Sequence, residues 1–302
     1  MKVFMIGGTG FLGGYLVPKL IDNGHDLTLL TRDKQNADQY ASKAKIIEGD
    51  LLKPAPFTRD LDKQDMVINI AMPPFKIGHV SRQKLKHLIA ITTGYVSNAV
   101  MIAEKLDCPL VLTAGTSFQT KGDEVADESW KIARVGMAKA GINYDAIVDK
   151  VNEKGSPLIQ MLPGQIYGPG GLFYRMIEMA MKGRNAVFGD GKNRIPRIFV
   201  DDCADAYAKV VDKVPVGEKY IIADDYSCTT LEFNTYLSEV LNQPAPRRLP
   251  KFLPRLIMGK LIYETLNMDC RVSNAKAKKE LDWNPKHPTY KEGLRATIDA
   301  LK

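Results

Sequence analysis

Lys2-Val3-Phe4-Met5-Ile6 runs into Gly7-Gly8-Thr9-Gly10-Phe11-Leu12-Gly13-Gly14, and that into Tyr15-Leu16-Val17-Pro18-Lys19-Leu20-Ile21. The first five residues are a short apolar run of strand length. The last seven place Leu16, Val17, Leu20 and Ile21 at helical spacing, and Asn23-Gly24 supplies a helix stop. The glycines between them fit G-x-G-x-x-G (Gly8, Gly10, Gly13) and G-x-x-G-x-x-G (Gly7, Gly10, Gly13) at once. A strand, this loop and then a helix is the context in which the pattern carries a mechanism. Glycine permits the tight turn and close backbone approach to a pyrophosphate, and the last glycine lets helix and strand pack closely. The free N–H groups and dipole at the helix start attract the phosphates. Gly7, Gly8, Thr9, Gly10, Phe11, Leu12 and Gly13 are therefore the first candidate dinucleotide-binding residues.

Outward from the loop, strand-like runs alternate with helix-like ones. Leu27–Leu30, Lys45–Ile47, Met66–Ala71, Leu110–Thr113 and Leu158–Leu162 read as strands, and Ser81–Leu106 and Trp130–Glu153 as helices. This alternation predicts an α/β fold, a doubly wound parallel-sheet Rossmann domain covered on both faces. After Pro163 the pattern is less regular. Leu172–Lys182, Asp201–Val211 and Thr229–Leu241 read as helices, with Thr229 or Thr230 as N-cap for the last. Arg197–Val200 and Tyr220–Ala223 read as strands, and Pro244–Lys302 as short helices joined by turns. The expected division is a dinucleotide-binding domain, 1–165 with 197–225, and a smaller mixed C-terminal substrate domain, 166–196 with 226–302.

Composition narrows the function classes. Of 302 residues, 45% are hydrophobic and 25% charged, with a net charge of +7, which is ordinary for a globular chain and unlike disorder. The positive charge is spread along the chain, so the reading has no nucleic-acid partner, and attraction to an anionic small molecule fits as well. No apolar run approaches the ~20 residues of a membrane-spanning helix, and the N-terminus reads as a first strand, not a signal peptide. Cys108, Cys203, Cys228 and Cys270 lie far apart and away from the four histidines. That predicts reduced cysteines in a cytoplasmic protein and no metal.

The end of the second strand separates NAD from NADP. An acid there bonds the ribose 2′-hydroxyl, whereas arginine accommodates a 2′-phosphate. Leu30 is followed by Thr31-Arg32-Asp33. Arg32 favours NADP, and Asp33 keeps NAD open.

With these motifs in order, the sequence resembles the extended short-chain dehydrogenase/reductase superfamily, which includes NAD-dependent sugar-nucleotide epimerases and dehydratases. Gly49-Asp50-Leu51 resembles its adenine-side turn, and Ile70-Ala71-Met72 the segment that flanks the cofactor. Pro163-Gly164-Gln165-Ile166-Tyr167-Gly168 resembles the turn beside the nicotinamide, with Leu162 in place of an arginine. Gly189–Arg194, Phe199–Ala204 and Ser273–Trp283 match further family segments in the same order. The resemblance implies cofactor contacts from Asp50, Leu51, Ala71, Met72, Pro163, Gln165 and Ile166. It also implies a dimer interface on Ser81–Leu106, hence a homodimer; a helix packed only on its own sheet is the alternative.

In that family a Tyr-x-x-x-Lys pair on one helix face performs the proton chemistry, the ammonium lowering the phenol's pKa. Here the pattern departs. Tyr15 with Lys19 has the spacing but lies beside the glycine loop, away from the reaction. Aligning Val135 to Lys139 keeps the distance to Pro163 and puts Val135 where the tyrosine belongs. Tyr144 and Lys150 are six apart, ~240° around a helix, and so unpaired. The resemblance implies that Lys139 binds the nicotinamide ribose. Ala114 fills the usual serine position, with Thr113 or Thr116 as substitutes, and Arg134 is a candidate for stabilising a substrate oxyanion. Lys139, Thr113, Thr116, Arg134 and Tyr144 are the candidate catalytic residues. The chain thus resembles the atypical branch: an NAD(P)-binding oxidoreductase acting on a small organic or sugar-nucleotide substrate. A non-catalytic NADP-binding sensor or assembly factor, and an NAD-dependent sugar-nucleotide epimerase with a substituted proton donor, are the alternatives. Tyr167, Phe173, Tyr174 and Phe188 are candidate pocket aromatics, with ordinary core packing the better reading for each taken singly. Pro246–Lys260, mixing basic and large apolar residues, reads as a lid over that pocket or as a segment lying on a membrane surface.

Overall fold

The apolar run Lys2–Ile6 is β1, the strand from which the sheet grows in both directions. The structure is a computed structural model that describes residues 1–59, 61–74 and 78–302. The glycine loop leads into α1 (Phe11–Asp22), which returns the chain to β2 (Asp26–Thr31), and β3 (Ala44–Glu48) follows. The chain then crosses to the other side of β1 as β4 (Met66–Asn69). After α2 (Arg82–Leu106) come β5 (Leu110–Thr113), α3 (Tyr144–Glu153) and β6 (Leu158–Pro163). The seventh strand of this sheet, β10 (Lys219–Ile222), pairs with β6. The order is β10-β6-β5-β4-β1-β2-β3 with every pair parallel, so the direction of winding reverses between β1 and β4. Open sheets of this kind bind ligands at that switch, beyond the carboxyl ends of the strands.

Both faces are covered, which is why β1, β4 and β5 read as continuous apolar runs rather than alternating ones. On one face α1 packs Leu12, Leu16, Val17 and Leu20 against Cys203, Ala206, Tyr207 and Val210 of α5 (Val200–Lys213). On the other, Tyr95, Val96, Ala99, Ile102 and Ala103 of α2 pack with Tyr144, Val148 and Val151 of α3. The inner face of α2 is thus covered by its own sheet.

Between β6 and β10, and after β10, the chain builds a smaller layer. β7 (Gln165–Tyr167) pairs with β9 (Arg197–Phe199); α4 (Phe173–Met181) and β8 (Ala186–Phe188) lie between them in sequence. After β10 come α6 (Thr230–Val240), β11 (Arg247–Leu249), which pairs with β8, and α7 (Leu253–Ile257). The chain closes with α8 (Gly259–Leu266), α9 (Ala275–Leu281) and α10 (Tyr290–Asp299). Thr229 caps α6 in a reciprocal capping box with Glu232.

One sequence expectation changes here, and one pair of alternatives is decided. Trp130–Glu153 is not one helix. Gly136 turns the chain at φ +56° with Thr265 packed against it, and a Cβ there would lie 2.7 Å from the Thr265 nitrogen. Residues Gly136–Gly141 form a tight 3₁₀ turn, and the α-helix begins only at Tyr144. Secondly, Tyr167 and Phe173 do not line a pocket. They are buried with Phe199 and Phe233, ring centroids 5.5–5.8 Å apart, because α10 presents Gly293 where any side chain would meet the Tyr167 ring.

Candidate functional site

The C-terminal ends of the parallel strands bring the sequence candidates to one edge. Gly7 leaves β1 at φ +94°, and a Cβ on it would lie 2.8 Å from the nitrogen of Ala71. Only a glycine lets the loop cross this close to the end of β4. Gly10 donates its N–H to the Gly7 carbonyl at 3.0 Å and caps α1 without a side chain. The first N–H groups of a helix have no acceptor within it, so those of Phe11, Leu12 and Gly13 are left without an intrahelical partner at a start that no capping side chain occupies. The Phe11 ring lies against Gly168, Gly170 and Gly171, tying the cradle to the segment after β7.

At the end of β2, Thr31 donates its hydroxyl to the Asp33 carbonyl at 2.8 Å. The Asp33 carboxylate accepts the Gln35 N–H at 3.0 Å, capping the 3₁₀ turn that follows. Arg32 is exposed, and among the described residues no carboxylate lies within ion-pair distance of it. Gly49 bonds the Thr31 carbonyl at 2.8 Å, which sets Asp50 and Leu51 beside Arg32. Asp50 accepts from the Leu52 N–H, and the carbonyl of buried Leu51 accepts from Asn98. Ala71 donates to Asn69 Oδ1 at 3.1 Å, while Met72 is 76% exposed. Thr9 follows Gly8 in the same cradle, Pro163 ends β6 on this edge, and Gln165 and Ile166 are the first two residues of β7, which follows directly.

The catalytic candidates are only partly gathered there. Lys139 rides on the 3₁₀ turn and gives its ammonium to Glu264 of α8 at 2.6 Å. The same carboxylate accepts the Gly136 N–H at 3.2 Å, and Thr265 Oγ1 accepts the Met137 N–H at 2.8 Å. The hydrogen bond from Lys139 holds the Glu264 carboxyl below its ordinary value. Glu264 and Thr265 escape sequence reading, since nothing local marks residues more than a hundred positions from the turn they clamp.

The hydroxyls at the end of β5 are already engaged. Thr113 shares a 2.8 Å bond with the buried Tyr207 hydroxyl, and Thr116 and the neighbouring Ser117 donate to the Pro163 and Ala133 carbonyls. Arg134 is held by Asp145 through two bonds, 2.7 and 3.2 Å, and covers the Tyr144 ring. Tyr144 is not in the cleft: it is buried in the α2–α3 core, its hydroxyl 3.5 Å from Gln160, and burial pushes its pKa up. A buried phenol with a raised pKa is a poor proton carrier. Val135 lies in extended conformation at the head of the turn, so no Val135–Lys139 helix pair exists. Lys19, the lysine of the other Tyr-x-x-x-Lys match, bonds Asp201 at 2.8 Å and Asp205 at 2.6 Å, fastening α1 to α5. Asp201, Asp202 and Asp205 form a carboxylate cluster. Its charge is met by Lys19 and Lys286, and Asp202 is held by the Lys286 and His287 N–H groups and the His287 ring. All four cysteines are buried thiols.

Beyond the edge, a cleft of about 430 Å³ opens among Phe188, Lys192, Arg194, Lys251 and Arg271. A second hollow of about 350 Å³ shares Arg194 and Arg271 with it. The acids in its wall are spoken for: Asp123 pairs with Arg271, Asp269 accepts the Arg194 N–H, and Asp190 accepts the Lys192 N–H. Among the described residues the cleft lining thus carries four cations against three carboxylates, a net charge of +1.

A seven-stranded parallel sheet wound in this order, with a glycine cradle at its switch point, defines a class of fold. The chain belongs to the NAD dependent epimerase/dehydratase family, whose model matches residues 3–223. It is similar to a 3-diazoavenalumate denitrifying reductase of a Streptomyces species, 22% identical over 97% of this chain and 99% of the relative. It is also similar to the UDP-glucose 4-epimerase of Mycolicibacterium smegmatis, 21% identical over 100% and 99%. Among solved structures, the human epimerase family protein SDR39U1 with NADPH superposes with a TM-score of 0.80 at 18% identity, covering 99% of each chain. That likeness is one of fold. Among the described residues no helix is long and apolar enough to cross a membrane.

Proposed function

We propose that this chain binds a nicotinamide dinucleotide, NADP in preference to NAD, and uses it for oxidoreduction of a small anionic organic or sugar-nucleotide substrate. The observation that carries this is the cradle Gly7–Gly13. Its backbone closeness to Ala71 and its uncapped helix start fit a diphosphate, and a side chain at Gly7 or Gly13 would collide with the backbone that shapes the cradle. Preference for NADP rests on Arg32. The acids beside it have their carboxylates turned to backbone N–H groups, Asp33 to Gln35 and Asp50 to Leu52, and are poorly placed to bond a ribose hydroxyl. Asp50, Leu51, Ala71 and Met72 would flank the adenine half, and Pro163, Gln165 and Ile166 the nicotinamide half.

When bound, the nicotinamide supplies a hydride acceptor or donor. The chain's own part is to bind and orient the substrate and move a proton. Lys192, Arg194 and Lys251 hold an anionic group of the substrate in the cleft. With the usual tyrosine absent and the Thr113, Thr116 and Ser117 hydroxyls engaged, Lys139 is the remaining group able to carry a proton or stabilise a developing oxyanion. Glu264 keeps that ammonium in place.

One observation favours a second reading. Lys139 is already satisfied by Glu264 and no tyrosine accompanies it, which suits an NADP-binding sensor or assembly factor without turnover. The test is paired: titrate NADPH and NADH by fluorescence with the wild type and Arg32→Ala, then follow NADPH oxidation over carbonyl and sugar-nucleotide substrates with the wild type and Lys139→Met. Tighter NADPH binding that levels in Arg32→Ala, with turnover lost in Lys139→Met, supports the oxidoreductase. NADPH binding without turnover supports the sensor, and no binding of either nucleotide refutes both.

A further inference from the structure

The stretch Ala245–Lys260 contains five cations (Arg247, Arg248, Lys251, Arg255, Lys260) and no acid, a local charge of +5 in a chain whose total is +7. All five are exposed. Among the described residues, only Lys260 has a carboxylate within ion-pair distance, Glu264 at 3.7 Å. Within the same stretch, Phe252, Leu256 and Ile257 are 60%, 72% and 62% exposed. Phe252 and Leu256 are four residues apart and share a face of the α7 turn, and Ile257 stands next to them. Large apolar side chains scattered singly over a surface need no explanation, but three on one turn within a stretch that carries five exposed cations do.

Among the residues lining the cleft only Lys251 comes from this segment. Contact with the 3₁₀ turn that carries Lys139 is made by α8, through Glu264 and Thr265. Pro254 and Gly259 are buried, and Gly259 turns the chain at φ +84° into α8. α7 is thus mounted on a fixed support with its apolar face turned to solvent.

We propose that α7 and its flanks are an interfacial anchor that docks this protein on an anionic phospholipid surface. Phe252, Leu256 and Ile257 would enter the boundary between headgroups and acyl chains, with the five cations against the headgroup phosphates. Charge complementarity selects an anionic partner. The protruding apolar side chains select a lipid surface among anionic partners: a fluid boundary receives them without a matched socket, and Leu256 and Ile257, which are aliphatic, suit acyl chains better than the stacking faces of nucleic-acid bases. Lys251 also lines the cleft, so docking would bring the cleft mouth to the bilayer. The proposal does not depend on the cofactor reading.

The test is co-sedimentation of the full chain with vesicles of phosphatidylglycerol and phosphatidylcholine, against vesicles of phosphatidylcholine alone. Two variants are compared: Phe252→Ser/Leu256→Ser/Ile257→Ser, and Arg247→Glu/Arg248→Glu/Arg255→Glu. The substituted side chains are exposed, and the melting temperature checks that each variant is folded. The expected result is a preference for the anionic vesicles of at least about tenfold, weakened by salt and lost by a similar factor in both folded variants. Equal binding to both vesicle types, no binding to either, or wild-type binding by either folded variant would overturn it. So would capture of the chain by polyglutamate or single-stranded DNA while the anionic vesicles leave it in solution.

Discussion

Gly13 and Gly14 are neighbours at the start of α1, and the structure assigns them opposite responses to the same added methyl group. A Cβ on Gly13 would lie 2.5 Å from the carbonyl carbon of Gly8 and 2.6 Å from the carbonyl oxygen of Gly7, with the Gly8 oxygen closer still. Ordinary contact begins at 3.4 Å, so the Gly7 carbonyl alone must retreat by 3.4 − 2.6 = 0.8 Å. Every atom met is backbone, and no rotamer change relieves the clash. A Cβ on Gly14 meets nothing within 4 Å. Gly13→Ala should therefore cost about 1–3 kcal/mol of overpacking, whereas Gly14→Ala should be neutral or stabilise by up to about 1 kcal/mol, the helix-propensity difference. The retreating carbonyls belong to the cradle itself. A displacement of this size takes a charge-assisted hydrogen bond out of its narrow range, and one such bond is worth about 1.5–3 kcal/mol. NADPH affinity should fall at least about tenfold in Gly13→Ala for each bond lost and stay within about twofold in Gly14→Ala. Thermal melts read the first effect and fluorescence titration the second. Equal melting temperatures and equal NADPH affinities for the two variants would refute the packing argument and the cradle together.

Tyr144→Phe should leave any turnover within about twofold of the wild type and stability within about 1 kcal/mol, because the deleted hydroxyl reaches only Gln160 at 3.5 Å; a rate and a melting curve check it. Glu264→Gln should lower the melting temperature at neutral pH by the worth of one partly screened ion pair, about 1 kcal/mol or less. The Glu264 carboxyl is held below its ordinary value by the bond from Lys139. Its contribution is therefore present above the usual carboxylate range and is lost as pH falls through the lowered value. The melting difference between wild type and Glu264→Gln should shrink as pH falls below the ordinary carboxylate range and vanish under the lowered value, and a difference that grows as pH falls would contradict the clamp.

The parts of the fold that were readable are those fixed by near neighbours in sequence. β1, the glycine loop and α1 follow from an apolar run, glycine spacing and helical periodicity within some twenty residues, and the strands buried on both faces carry long apolar runs. The short strands β7, β8 and β11 have three residues each and too few positions to show any period. Trp130–Glu153 reads as one helix because its break is imposed at Gly136 by Thr265, which arrives from α8. Glu264 is hidden for the same reason, since its meaning is a contact with Lys139 across 125 positions. Tyr167 and Phe173 follow a recognisable turn and read as pocket or core aromatics. Whether such rings face a cleft or a core is decided by the pairing of β7 with β9 and by the space left at Gly293. Arg32 was legible as a charge at the right place, while the turning of the Asp33 carboxylate to Gln35 became visible only in three dimensions.

The central claim is that a dinucleotide's diphosphate rests against the backbone N–H groups at the start of α1. A crystal structure of the chain grown with saturating NADPH tests it directly. The account predicts diphosphate oxygens within hydrogen-bond distance of the Phe11 and Leu12 nitrogens and the 2′-phosphate facing Arg32. NADPH density lodged elsewhere, with the Gly7–Gly13 hollow filled only by solvent, would contradict it.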